Sequence, residues 1–235
     1  AYDGCSYCGY IKNNKYIYVT PLLSETERVE ERVDNITAIS DELAKELKLP
    51  KREIVNLMVS SDESIAISHS LFESFDETTI SLIKGKGYTL IIDETVSCIT
   101  PVSFSAKEIQ ILDDNNALIK TEAKNGATRV VWNPDTSLKA TRLEQIYRKY
   151  FNSAKEIYLG NDNKIMVCSL PDGIYEAVSK AFVLTYNFIG TDMEAYFKFH
   201  NIEYEMKTIK DGGISDLISV EDGSEFKDLI DIIDN

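Results

Sequence analysis

An α/β domain on a mainly parallel sheet is the fold class the sequence predicts, and three observations carry it. Short runs of β-branched and aromatic residues alternate with stretches of helical periodicity along most of the chain. The run Tyr88-Thr89-Leu90-Ile91-Ile92 is continuous and largely apolar, the mark of a strand buried on both faces. Three runs end abruptly, at Thr20-Pro21, Asp93-Glu94 and Thr185-Tyr186, and sheets of this class carry their chemistry just past the carboxyl ends of the strands.

Taken in order, residues 15–20 read as a strand, rich in aromatic and β-branched side chains and stopped by Pro21. Ser24-Glu25-Thr26-Glu27 has the spacing of a capping box, and Val29, Val33 and Ile36 follow at helical intervals. Ile39, Leu43 and Leu47 continue a helical face up to Pro50, and a short helix is expected over residues 52–59. Residues 64–68 read as a strand, and residues 76–84 as a helix closed by Gly85 and Gly87. Between residues 103 and 137 the pattern turns short and polar, with turn signals at Asp113-Asp114-Asn115-Asn116 and Asn125-Gly126. That predicts small strands or hairpins inserted into the main architecture. Residues 138–151 are helical, and 156–159 and 165–168 are strands. Residues 181–186 form a further buried strand, followed by a helix near 193–199. Residues 211–235 are weakly patterned and acidic, and no internal repeat occurs.

Composition narrows the function classes. The chain has 235 residues, with 39 acidic against 25 basic side chains and a net charge of −14. A hydrophobic share of 43% is enough for a real core and excludes a disordered or collagen-like chain. No run of about 18 apolar residues exists, so no membrane partner is expected. The N-terminus has neither a basic flank nor an apolar core segment, so it does not read as a secretory signal, and it lacks an initiator Met, which fits a processed or truncated chain. The acidic balance speaks against a protein whose whole surface grips phosphate, although it leaves room for a local basic groove. Cys5 and Cys8 form one C-x-x-C, half a zinc site, while His69 and His200 lie far away in the chain. The expectation is therefore no metal there, and reduced thiols in a cytoplasmic protein.

The sharpest local motif is Leu90-Ile91-Ile92-Asp93-Glu94. A buried strand fixes carboxylates at its tip, and nucleotide hydrolases use such a pair to hold Mg²⁺ through the Asp and to polarise the attacking water with the Glu. The plainer reading is a buried strand whose acidic end meets solvent. Arg142, Arg148 and Lys149 are interleaved with Tyr147, Tyr150 and Phe151, as in single-strand binders. Leu143, Ile146, Tyr147 and Tyr150 keep helical spacing, however, which favours a helix core face with solvated basic neighbours. His69 lacks a nucleophile and acid in any known order, His200 reads as a surface residue, and Trp132 as the centre of a small satellite core.

Four segments occur in a telling order: Tyr16 to Glu25 with its Thr20-Pro21, Ile65 to Phe72 with its His69-Ser70, Tyr88 to Glu94, and Phe182 to Phe188. This order resembles the first RecA-like domain of superfamily 2 DEAD/DEAH-type helicases, most closely those of bacteriophages and prophages, from about Lys15 onward. The resemblance implies a RecA-like three-layer domain over residues 15–200, with a small β insertion at 103–137. Residues 1–14 would stand in place of the phosphate-loop region, and 201–235 would form an acidic extension toward a second domain. It also implies site roles. Thr20, Pro21, His69 and Ser70 would contact a nucleic-acid strand. Asp93 and Glu94 would be the catalytic pair, with Asp93 on Mg²⁺, and Thr185 would couple hydrolysis to movement. Mg²⁺ and ATP are the cofactors of the parent family, and DNA or RNA and a second RecA-like domain are its partners.

The departures bear on activity. No G-x-x-x-x-G-K-[ST] exists in the sequence, and Gly85-Lys86-Gly87 precedes a strand rather than opening a helix. Without that loop the β- and γ-phosphates lack a cradle. The turn after Thr185 reads Tyr186-Asn187 rather than small residues. The expectation is a fragment or derivative of a phage-type ATP-dependent helicase that holds no cofactor and hydrolyses no ATP by itself. The alternative is a non-enzymatic acidic interaction module that binds a protein partner.

Overall fold

The computed structural model describes residues 14–102, 104–122, 127–137, 141–151, 155–159, 166–170, 173–210 and 213–216. The C-x-x-C of Cys5 and Cys8 and the acidic residues 217–235 lie outside them. The chain divides into two units, residues 1–200 and 201–235. In the second, β11 (Lys207–Lys210) and β12 (Gly213–Asp216) form an antiparallel hairpin.

The first unit is an α/β domain. Its main sheet comprises β1 (Lys15–Thr20), β2 (Ile36–Ala38), β3 (Ser64–Ser68), β4 (Tyr88–Asp93) and β10 (Lys180–Leu184), all parallel, in the order β10-β4-β1-β3-β2. The four strands expected from sequence are thus neighbours in one sheet. The chain steps outward from β1 to β2, then back across to β3, β4 and β10. Right-handed crossovers therefore place α1 (Leu23–Arg32) on one face and α3 (Lys51–Ser60), α5 (Glu77–Ile83) and α8 (Gly173–Ala177) on the other. Packing agrees: α1 lies on β1, β2 and β3, while α3 meets α5 and α5 meets α8.

Strand side chains alternate between these faces. Under the three-helix layer, Ile17, Val19, Ile65, Ile67, Leu90 and Ile92 are all wholly buried. Tyr88 joins them, and its hydroxyl donates to the Glu63 carbonyl at 2.8 Å. On the α1 face, Ala38 and Ala66 are small enough for the helix to approach, and Glu30 of α1 accepts the Ala38 N–H at 3.1 Å. Thr26, on α1 itself, is buried.

A second sheet, antiparallel, has the order β5-β9-β8-β7-β6. Its strands are β5 (Ile99–Val102), β6 (Leu118–Glu122), β7 (Thr128–Trp132), β8 (Glu156–Leu159) and β9 (Met166–Ser169). The insertion is therefore wider than residues 103–137, because β5, β8 and β9 come from outside that range. It also holds α6 (Ala106–Asp114), which opens with a capping box between Ser105 and Glu108. A helix stands where small strands or hairpins are expected, and the turn residues Asp113 to Asn116 form its C-terminal end. Two small cores fill this region. Val130 and Ile157 anchor one, and Leu112, Ala117, Leu143 and Ile146 the other. Trp132 stacks edge-on against Tyr147 at 5.1 Å. Arg148 pairs with Glu144 at 2.7 Å, and Arg142 lies 3.8 Å from Glu108, so α7 (Thr141–Ile146) and the π-helical turn Tyr147–Phe151 present a core face with paired basic neighbours.

Other readings need correction. The Ser24–Glu27 capping box does not form: α1 starts at Leu23, its N-cap Leu22 makes no side-chain bond, and Thr26 instead donates to the Leu23 carbonyl at 2.6 Å. The helical run through Val33 and Ile36 stops at Arg32, because Ile36 is drawn into β2 beside Ser64. Ile39 precedes α2 (Asp41–Leu47) rather than joining it. His200 is not a surface residue; it ends α9 (Asp192–His200) 7% exposed, packed against Tyr196 at 4.4 Å. The strand β10 is not buried: it lies at the sheet edge, with Phe182 47% and Leu184 48% exposed.

This contrast makes a prediction. Leu90→Ala, in a strand with neighbours on both sides, should destabilise the domain by about 3 kcal/mol through the cavity it leaves. Phe182→Ser on the edge strand should change stability by less than about 1 kcal/mol. Urea denaturation midpoints of both variants check it.

Candidate functional site at the carboxyl rim of the parallel sheet

Parallel strands put all their carboxyl ends on one edge, and that edge gathers the residues singled out by sequence. Thr20 closes β1, His69 follows β3, Asp93 closes β4 and Thr185 follows β10. The registers Val19↔Ile92 and Leu184↔Asp93 place Asp93 between the ends of β1 and β10.

Asp93 is half-buried and held from two sides. The Tyr18 hydroxyl donates to its Oδ2 at 2.9 Å, and His69 Nε2–H donates to its backbone carbonyl at 2.9 Å. The second bond places the His69 proton on Nε2, since a carbonyl can only accept. Tyr18 reaches Asp93 because it pairs with Ile91, two residues back on the same face. Burial, then the bond to Asp93 and its negative charge, push the Tyr18 phenol up to about 12. Arg28 of α1 stands within electrostatic reach of Tyr18 and Asp93, oriented by Glu25 at 2.6 Å.

Glu94 has a different setting. Its φ of 64° is left-handed, a conformation that costs a non-glycine residue about 1 kcal/mol. Its N–H donates to the Leu184 carbonyl at 2.8 Å, which continues the β4–β10 pairing through the turn. The exposed carboxylate accepts from Thr185 Oγ1 at 3.2 Å, with the Asn187 carbonyl as the hydroxyl's other acceptor at 3.2 Å. Asp93 and Glu94 therefore leave β4 in divergent directions.

The remaining positions divide. Pro21 and Ser70 are exposed on the rim. Thr20 is wholly buried, and its Oγ1 has no partner among the described residues, so it is not a surface group. His69 opens the short helix α4 (His69–Phe72), capped by Ser68 accepting from Leu71 N–H at 3.3 Å, and its ring turns inward to Asp93. Sequence reasoning missed Tyr18 and Arg28. The period-two pattern of β1 puts Tyr18 on the Thr20 face, but only the register with β4 joins it to Asp93.

Magnesium is commonly held by one or two carboxylates together with substrate phosphate. Asp93 fits that share, whereas Glu94 is turned toward Thr185, and among the described residues no group of three metal-ligating side chains occurs. The sequence given carries no G-x-x-x-x-G-K-[ST] to cradle the phosphates of ATP.

No protein-family model matches the chain, and no solved structure matches it. Over 206 residues, 84% of the chain, it is 25% identical to the SPbeta prophage-derived uncharacterized protein YonV of Bacillus subtilis (strain 168). The match covers 48% of that protein, so the chain spans about half the length of the curated relative it matches.

The Tyr18–Asp93 contact is testable by titration. Tyr18 should stay neutral through pH 10 and ionise near about 12. Since the folded value is raised, this contact's stability is complete below about pH 10 and is lost between about 10 and 12. NMR of ¹³C-labelled tyrosine should show a late-titrating resonance that Tyr18→Phe removes.

Proposed function

We propose that the chain is part of the first RecA-like half of a phage-type superfamily 2 helicase or related nucleic-acid-remodelling ATPase. Supporting this reading is the carboxylate pair at the end of β4, flanked on one rim by the ends of β1, β3 and β10. The prophage origin in the relative's name is consistent with it. In this reading Asp93 takes the ion, with Tyr18 and His69 fixing its carboxylate and backbone, and Glu94 faces the reacting water. Thr185 reports the state of Glu94 to β10, and Pro21 and Ser70 line the path of a DNA or RNA strand. The protein works in the cytoplasm with a second RecA-like half. The missing phosphate loop makes the chain alone inactive toward ATP.

The net charge of −14 together with the missing loop favours a second reading, a non-enzymatic interaction module derived from such a domain. One measurement tests the missing phosphate loop, and a second separates the readings. Isothermal titration should show no tight Mg-ATP binding and no turnover by the chain alone; micromolar affinity would mean a phosphate site outside the known loop pattern. Fluorescence anisotropy with single-stranded oligonucleotides at low salt should show binding that Ser70→Asp weakens about tenfold, or 1.4 kcal/mol. An intact fold without any such binding would leave the interaction module as the better reading.

A further inference from the structure

The turn that follows β10 holds one aromatic ring out in water. Tyr186 lies two residues past the end of the strand and is fully exposed. The backbone on either side of it is fixed. Before it, Thr185 Oγ1 donates to Glu94 Oε2 at 3.2 Å and to the Asn187 carbonyl at 3.2 Å. After it, Phe188 is buried against Phe197, with ring centres 5.5 Å apart. Thr191 Oγ1 donates to the Phe188 carbonyl at 2.7 Å, and the Gly190 N–H donates to Glu194 at 2.8 Å. A ring carried on so fixed a turn loses little freedom when a ligand covers it. Its surroundings are mostly polar. Asn187 and Glu94 are exposed, Ile189 is 40% exposed, and no Lys or Arg occurs between residues 181 and 197.

We propose that Tyr186 is a stacking platform for a base of single-stranded nucleic acid. The composition of the turn selects this ligand class. Gripping phosphate takes cations, which the turn lacks, whereas stacking takes only a π face and serves every base. A protein partner anchored on this tyrosine would need a surrounding ring of contacts that excludes water. Exposed Asn187 and Glu94 suit a planar ligand better: its face meets the ring, and its polar edges stay among polar groups. On the carboxyl rim, the strand order β10-β4-β1-β3 sets this turn three strand spacings, about 14 Å, from the end of β3 and Ser70. The two are separate contacts on one path, Tyr186 on a base and Ser70 on the backbone. In a chain of net charge −14, base faces are the part of a polyanion that an acidic surface can hold. The role assigned to Tyr186 rests on the nucleic-acid reading of the domain and adds which part of the ligand is held.

Fluorescence anisotropy at low salt tests this role with a fluorescein-labelled oligothymidylate, and with an abasic strand of the same length as a second probe. Tyr186→Ala should weaken oligothymidylate binding about tenfold. Tyr186→Phe should bind as the wild type does, and Tyr186→Leu as poorly as Tyr186→Ala. Because the position is fully exposed, all three variants should keep the wild-type urea midpoint. A plot of log K against log salt should keep its slope in Tyr186→Ala, whereas a lost phosphate contact would flatten it by about 0.7. The abasic strand should bind the wild type and Tyr186→Ala equally. Combined with Ser70→Asp, the two losses should add. Wild-type affinity in Tyr186→Ala, with Ser70→Asp still weakening binding, overturns the role of Tyr186 and leaves the nucleic-acid reading standing. Equal binding by the Leu and Phe variants overturns stacking in favour of a plain apolar contact. No binding of either probe by the folded wild-type chain overturns this role and the nucleic-acid reading together.

Discussion

Parallel pairing of β1 with β4 sets Val19 opposite Ile92, and the Tyr18–Asp93 contact at the rim follows from that register. It brings Thr20 level with Asp93 and puts Tyr18 on the same face one step behind, near enough for a 2.9 Å bond. A slip of one residue would turn Tyr18 to the opposite face and send Ile17 and Val19 out of the core. The register is therefore held by burial: Ile17, Val19, Leu90 and Ile92 are wholly enclosed together. Each contributes about 1.5–3 kcal/mol when fully buried, so displacing the set far outweighs any single polar contact at the rim.

The rim combines rigidity with a strained exit. Asp93 is fixed through its carboxylate by Tyr18 and through its backbone by His69. One residue later the chain enters a left-handed turn at Glu94, locked by the bond to the Leu184 carbonyl. Two adjacent carboxylates are thereby separated in direction and environment. Asp93 sits with an aromatic hydroxyl, within reach of Arg28, while Glu94 is exposed and tied to the turn after β10. A change in the β10 turn would be felt first at Glu94, whereas a change in α1 would be felt first at Asp93.

Local composition was enough to locate four of the five parallel strands, the helices at 51–60, 77–83 and 192–200, and the acidic tip of β4. The signals there were dense: continuous apolar runs, Gly and Pro punctuation, and helical spacing. It failed where two patterns overlap. The Val29–Val33–Ile36 spacing looked helical, yet Ile36 was worth more to the sheet than to α1. Asp113 to Asn116 read as a turn between strands, although it closes α6. Phe182-Val183-Leu184 has the composition of a central strand, and nothing within those residues reveals that β10 is the edge of the sheet among the described residues.

The sequence by itself determined four of the five parallel strands and which of them ends in carboxylates, because these depend on neighbours along the chain. Only the tertiary structure decided the strand order, the partners of Asp93, the burial of Thr20 and His200, and the exposure of Tyr186. Those depend on which residues meet across the sheet, and that is set by pairing register and crossover handedness over separations of tens of residues.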